Sequence, residues 1–211
     1  MNLSKLCTTP IVTSALNLVL LLICQSGFAQ IRLDNPSFEG EPQDATVPVG
    51  WFPCATGTTP DILPGYWGVY NEASEGDTYI GLITRRNGSH ESIGQRLAQP
   101  LPPKECYAFA IDLAHSDAYA GYNRPLHLKI WGGGVKCAKD QLLWSTNAPI
   151  EAEDWATFNI NFITKSTINY LIIEAVQPNG TTAYEGNILV DNIRPIKKCP
   201  RAMNDLDRLR K

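Results

Sequence analysis

Two carboxylates stand where strand-like sequence calls for apolar side chains. Glu39 follows Phe38 in RLDNPSFEGEP, and Asp191 sits among Ile188, Leu189, Val190 and Ile193 in GNILVDNIRP. A carboxylate buried without a partner is costly, whereas calcium gathers roughly six to eight oxygens from carboxylates, carbonyls and water. Glu39 and Asp191, from opposite ends of the chain, therefore read as ligands of one structural calcium. Asp77, in the turn EGDTY, is the third candidate ligand. The competing reading leaves both acids in solvent, or paired with Arg32 or Arg194.

A second set of residues suits sugar. Sugars offer apolar ring faces fringed by hydroxyls, so a site for them needs an aromatic platform with amide or guanidinium groups nearby. Trp67, Tyr70, Tyr119 and Tyr122 fall in or beside loop-like stretches, Trp131 takes an outward position on a strand, and Arg85, Asn123 and Arg124 are suitable fringe donors. These eight are the candidate ligand-binding residues, with Trp131 the leading platform. Trp51 and Trp155 read instead as core or rim packing.

Catalytic signatures are missing from the sequence. There is no GxSxG elbow and no GxxxxGK[ST] loop, and HESIG at His90 lacks the second histidine of a zinc-helix motif. His90, His115 and His127 are scattered. Glu91 with Glu174 would make a pair of glycosidase type, but any acid-rich domain offers such pairs. The expectation is a protein that is not an enzyme.

The elements that must position these residues are strands. Between Ile31 and Pro195, short runs such as TYIGLIT, CYAFAIDLA, PLHLKIW, QLLWS, ATFNINFIT, NYLIIEAV and NILVDNI alternate with Gly, Pro, Asn and Asp clusters. Seven or eight antiparallel strands predict an all-β, two-sheet sandwich of jelly-roll type. Alternation assigns the faces. Phe158, Ile160 and Phe162 point inward against outward Thr157, Asn159 and Asn161, and Leu126, Leu128 and Ile130 point inward against His127, Lys129 and Trp131. In CYAFAIDLA, Ala108, Ala110, Asp112 and Ala114 share one face, either as the floor of a groove or under a loop.

The start of the chain reads as a secretory signal. Lys5 precedes a nearly unbroken apolar run from Ile11 to Ile23, followed by Gly27, Phe28 and Ala29, and cleavage after Ala29 is expected. The run is too short for a stable membrane span, and no later segment approaches the roughly 20 apolar residues one needs. Residues 30–195 form the sandwich domain, and residues 196–211 a basic C-terminal tail. Residues 30–193 carry 10 Lys and Arg against 19 Asp and Glu, while residues 194–211 carry 7 against 2. An acidic body repels phosphate backbones, which excludes nucleic acid as the principal ligand.

Beyond the signal, Cys54, Cys106, Cys137 and Cys199 imply two disulfides in an oxidising compartment, with three connectivities open. Cys106 opens one strand and Cys137 follows another, which favours a 106–137 bridge without deciding it. Their spacing argues against zinc.

Taken in order, NPSFEG, VPVGWFPC, EGDTYIGL, ESIGQRL with YAFAIDLA, LKIWGG and ILVDNI resemble the jelly-roll, galactose-binding-like domains of secreted bacterial proteins, a group that includes many carbohydrate-binding modules. The resemblance covers nearly all of residues 31–195. It implies a structural calcium between the first and last strands, at Glu39 and Asp191. The chain is thus expected to be a secreted binding module for a glycan or another extracellular ligand. The alternative is a structural or adhesion domain of a cell-surface assembly with no small ligand.

Overall fold

The computed structural model describes residues 30–178, 180 and 182–200. The expected signal peptide, 1–29, and residues 201–211 of the expected tail lie outside the described residues. Twelve strands occur among those described: β1 (Phe52–Pro53), β2 (Asp61–Leu63), β3 (Tyr79–Thr84), β4 (Ser92–Leu101), β5 (Cys106–Ala114), β6 (Arg124–Pro125), β7 (His127–Gly133), β8 (Gln141–Ser145), β9 (Ala156–Ile163), β10 (Ile168–Val176), β11 (Gly186–Asp191) and β12 (Lys197–Lys198).

The strands form two sheets, ordered β1-β4-β10-β7-β8 and β12-β5-β11-β3-β2, with β9 on β5 and β6 on β11. All of these pairings are antiparallel except β6 with β11. This is the all-β, jelly-roll sandwich the alternation predicts. Its core lies between the sheets, where Ile93 and Leu97 of β4, Leu171 and Ile173 of β10, and Leu128 and Ile130 of β7 meet Phe109, Ile111, Ile160, Phe162, Ile188 and Val190. Trp51 is part of this core and packs on Phe38 with ring centroids 5.1 Å apart. A second cluster, Leu63, Val69, Tyr79, Ile83, Ala114, Tyr119 and Leu189, lies on the other face of the β3-containing sheet. The loops after β2 and β5 contribute Val69 and Tyr119 to it.

The sandwich extends past the expected boundary at Pro195. Ile196 is fully buried and exchanges backbone hydrogen bonds with Ile31, and Cys199 closes a disulfide with Cys106. The first residues of the domain are thereby braced against its last strand, and Ile196 to Cys199, which the sequence assigns to the tail, pack as part of the body. The second disulfide is Cys54–Cys137, so the favoured 106–137 bridge is not formed. Sequence order misled because Cys137 belongs to the hairpin loop between β7 and β8. That loop folds across the outer face of its own sheet to reach the segment after β1. A Cβ on Gly94 of β4 would stand 2.9 Å from Cys54 Sγ, so this bridge lies directly on the sheet as a strap.

Candidate functional site

The most exposed aromatic group is built by the loop after β2. Gly65 and Gly68 adopt positive φ, as does Trp67 at +55°, a conformation uncommon for a residue with a side chain. The loop closes on itself through Gly65 N–H to Val69 O (2.9 Å) and Val69 N–H to Tyr66 O (2.9 Å). Trp67 O accepts the Ala120 N–H at 2.8 Å, and a Cβ on Gly68 would come 2.9 Å from Ala118 O. Only glycine allows the two loops to approach so closely. The result turns Trp67 outward, 41% exposed, between Tyr66 and the 74% exposed Tyr70. Trp67 Nε1 donates to Asp44 Oδ1 at 2.9 Å, and its ring meets Tyr122 edge-on at 6.3 Å. The indole is therefore both presented and held.

Tyr122 leads from this platform into a groove of about 520 Å³ lined by Gly121, Asn123, Arg124, Arg86, Tyr184 and Glu185. Arg124 lies 3.8 Å over the Tyr184 ring, and Arg86 pairs with Glu185 at 2.7 Å. Trp67, Tyr70, Tyr122, Asn123 and Arg124, five of the eight expected ligand residues, thus fall in the loop after β2 and the neighbouring segment that leads into β6. Tyr66 was missed by the sequence reading, although it is next to Trp67 and 39% exposed. The signal lay in the run PGYWGVY, where two glycines flank the aromatic pair.

The other three expected ligand residues do other work. Tyr119 is 1% exposed, packs in the second cluster, and donates its hydroxyl hydrogen to Asp61. Burial, with the Asp61 charge adding to it, pushes the Tyr119 phenol well up, and burial carries the Asp61 carboxyl to about 6. Arg85 is committed to the fully buried Glu91 at 2.8 Å and to Thr59 Oγ1 at 3.1 Å.

Trp131 does take its outward position on β7, but it is half-buried and Nε1 donates to Glu174 Oε2 at 2.7 Å. His90 Nε2 lies 2.8 Å from the same carboxylate, and Lys139 from the strap loop also pairs with it. Burial alone would raise the Glu174 carboxyl. The three donors outweigh it and hold the group at about 2. Glu91 and Glu174 share no partner, since Glu91 is bonded by Thr59, Ile83 and Arg85. Each of these carboxylates is saturated by its own surroundings.

Glu39 and Asp191 meet at the loop before β3. Asp191 Oδ2 accepts the N–H groups of Ser74 (2.8 Å) and Glu75 (2.9 Å), and Oδ1 accepts that of Asn192. Glu39 accepts the Asp77 N–H at 3.2 Å on either oxygen and fills the space a Cβ on Gly76 would need. Asp191 is fully buried. That burial raises its carboxyl to about 7, with the nearby Glu39 charge adding to the rise and the three amides opposing it. Neither acid forms a salt bridge among the described residues, because Arg194 pairs with Asp112 instead, at 2.6 Å. Asp77 enters through its backbone N–H, and no group of three or more His, Cys, Asp or Glu side chains suited to a metal occurs among the described residues. Both carboxylates face the loop before β3, and backbone N–H groups, not a cationic side chain, lie against them.

No protein-family model matches the chain, and no curated protein matches it significantly. Solved structures share its architecture. A cyclase from Fischerella sp. superimposes with a TM-score of 0.54 at 15% identity, covering 82% of this chain and 97% of that one. The K3 cleaved adhesin domain of Lys-gingipain from Porphyromonas gingivalis gives 0.50 at 13% identity, covering 81% and 99%. The CBM22-1 xylan-binding domain of Paenibacillus barcinonensis Xyn10C gives 0.48 at 14% identity, covering 81% and 95%. The chain has the jelly-roll fold. A cyclase and an adhesin domain share that fold, so function has to be argued from the site.

Proposed function

We propose that the chain is a secreted, non-catalytic module that binds carbohydrate at the Trp67–Tyr122 platform, with a structural calcium between Glu39 and Asp191. The observation that carries the reading is the indole of Trp67, exposed to solvent yet fixed by Asp44, Tyr122 and the Ala120 amide. A stacking surface of this kind binds without first losing rotamer freedom. Asn123 and Arg124, at the mouth of the adjoining groove, supply donors for sugar hydroxyls. Two disulfides support an oxidising compartment. The saturated carboxylates Glu91 and Glu174 support a role in packing and not in catalysis.

Calcium would be held by the Glu39 and Asp191 carboxylates and would neutralise charge that no side chain pairs. A glycan array with the purified chain, run with and without calcium, tests the reading: retention of at least one glycan class is expected, and uniform blank arrays count against it. The structural or adhesion reading is favoured by one observation, the exposed strip of Thr157, Asn159 and Asn161 on β9, which has no aromatic side chain to stack on a sugar.

A further inference from the structure

The edge formed by β9 carries an inference of its own. β9 pairs with β5 and with no other strand among the described residues. The Cys106 and Ala110 carbonyls of β5 turn to the opposite neighbour, accepting the N–H groups of Cys199 and Arg194. The alternate residues Tyr107, Phe109 and Ile111 therefore serve β9, through their partners Phe162, Ile160 and Phe158. Thr157, Asn159 and Asn161 then direct their N–H and C=O groups away from the sheet. At the far end the outward carbonyl of Ile163 is already capped by Gln141 Nε2 at 2.7 Å.

Exposed sheet edges are ordinarily guarded by charge, proline or a bulge. Residues 156–163 contain no charged residue and no proline, and their register on β5 runs without a break. Charge flanks the strand instead, with opposite signs at its two ends. Exposed Glu151, Glu153 and Asp154 precede it, and exposed Lys165 follows it. Antiparallel pairing of two such strands about a two-fold axis sets the acidic end of each against the lysine of the other. Parallel pairing would oppose like charges. On its inner side the edge adjoins a groove of about 480 Å³ whose lining includes Trp144, Ile150, Ala156, Phe158 and Asn159. An approaching chain would cover it.

We infer that β9 is a self-association edge at which a second copy of this chain adds antiparallel, joining two sandwiches through one continuous sheet. The register that leaves the Gln141 cap in place pairs Asn159 with its own symmetry mate and Thr157 with Asn161. It also brings the acidic segment before β9, Glu151 to Asp154, toward the Lys165 end of the other copy. Each outward N–H and C=O of these three residues then gains a partner, and the interface is isologous. The association rests on a short strand pairing plus the groove, so dissociation in the micromolar range is expected.

Sedimentation of the full chain at roughly 100 μM should give twice the monomer mass, falling toward monomer on dilution. Asn159→Lys places two lysines face to face at the axis and should leave a folded monomer, its melting temperature close to that of the parent. Independently, Asn159→Cys should form a covalent dimer under mild oxidation, because a hydrogen-bonded pair brings Cα atoms about 5.5 Å apart. Lys129→Cys, on another face, should not. A monomeric parent at that concentration overturns the proposal, including the case where the edge takes a strand of another protein. So does a dimer that survives Asn159→Lys with no Asn159→Cys cross-link.

Discussion

Trp131 and Glu174 show what a single residue's surroundings decide. Glu174 has its carboxyl held at about 2, below the ordinary glutamate value of about 4.3. A depressed folded-state value means stability that is present above the unfolded value and lost as pH falls through the folded one. The difference corresponds to roughly 3 kcal/mol at most, less what partial exposure of His90 and Lys139 screens. Denaturant melts should therefore lose stability between pH 4.5 and 2, and Glu174→Gln should flatten that segment. Asp61 acts with the opposite sign. Its carboxyl, raised to about 6 by burial, favours the folded state below about pH 4 and loses that contribution as pH rises through 6. Asp61→Asn should remove the loss between pH 4 and 6. Trp131→Ala takes one donor from Glu174, so its melting temperature should fall by the equivalent of about 1–3 kcal/mol. Its outward position on β7 by itself would predict little change.

Strands whose alternation is regular were legible, and those set by context were not. β5 and β8 match their sequence runs at both ends, and β9 and β10 differ by one residue at one end. β4 was hidden because Pro100 lies inside it. The proline is tolerated because β1 reaches only Ile93 and Gly94, leaving the rest of that side unpaired. The face of Ala108, Ala110, Asp112 and Ala114 turned out divided. Ala114 and Asp112 lie under the loop that carries Ser74, whose Oγ donates to Asp112, while Ala108 and Ala110 stay partly open. The strap could not be read, since nothing local announces that a hairpin loop will fold back over its own sheet. Its bridge closes a long separation, 83 residues, for which loop-closure entropy predicts roughly 2–5 kcal/mol. Replacing Cys54 and Cys137 together by alanine should lower stability by that order in denaturant melts, while the Cys106–Cys199 bridge, checked by mass, stays intact.

For the molecule as a whole, the proposed calcium and glycan sites lie at separate places and do separate work. Calcium at Glu39 and Asp191 would tie the first segment to the last long strand, and an ion that binds only the folded chain stabilises it by mass action. Chelation should lower the melting temperature, and Asp191→Asn should abolish that sensitivity; equal melting with and without chelator would remove calcium from the account. The proposed glycan platform was half legible. The aromatic residues and their loops could be picked out from PGYWGVY and AYAGYNR, but three dimensions were needed to separate the exposed Trp67 and half-buried Tyr122 from the fully covered Tyr119, which the same pattern conceals. Titration calorimetry with the strongest ligand from the array, comparing the parent with Trp67→Ala and Trp131→Ala, tests this placement most directly. Trp67→Ala should weaken binding by about 1–3 kcal/mol with its melting temperature little changed, and Trp131→Ala should bind like the parent. Unchanged affinity in Trp67→Ala, with binding lost in Trp131→Ala, would move the site to the strapped sheet face and contradict the account.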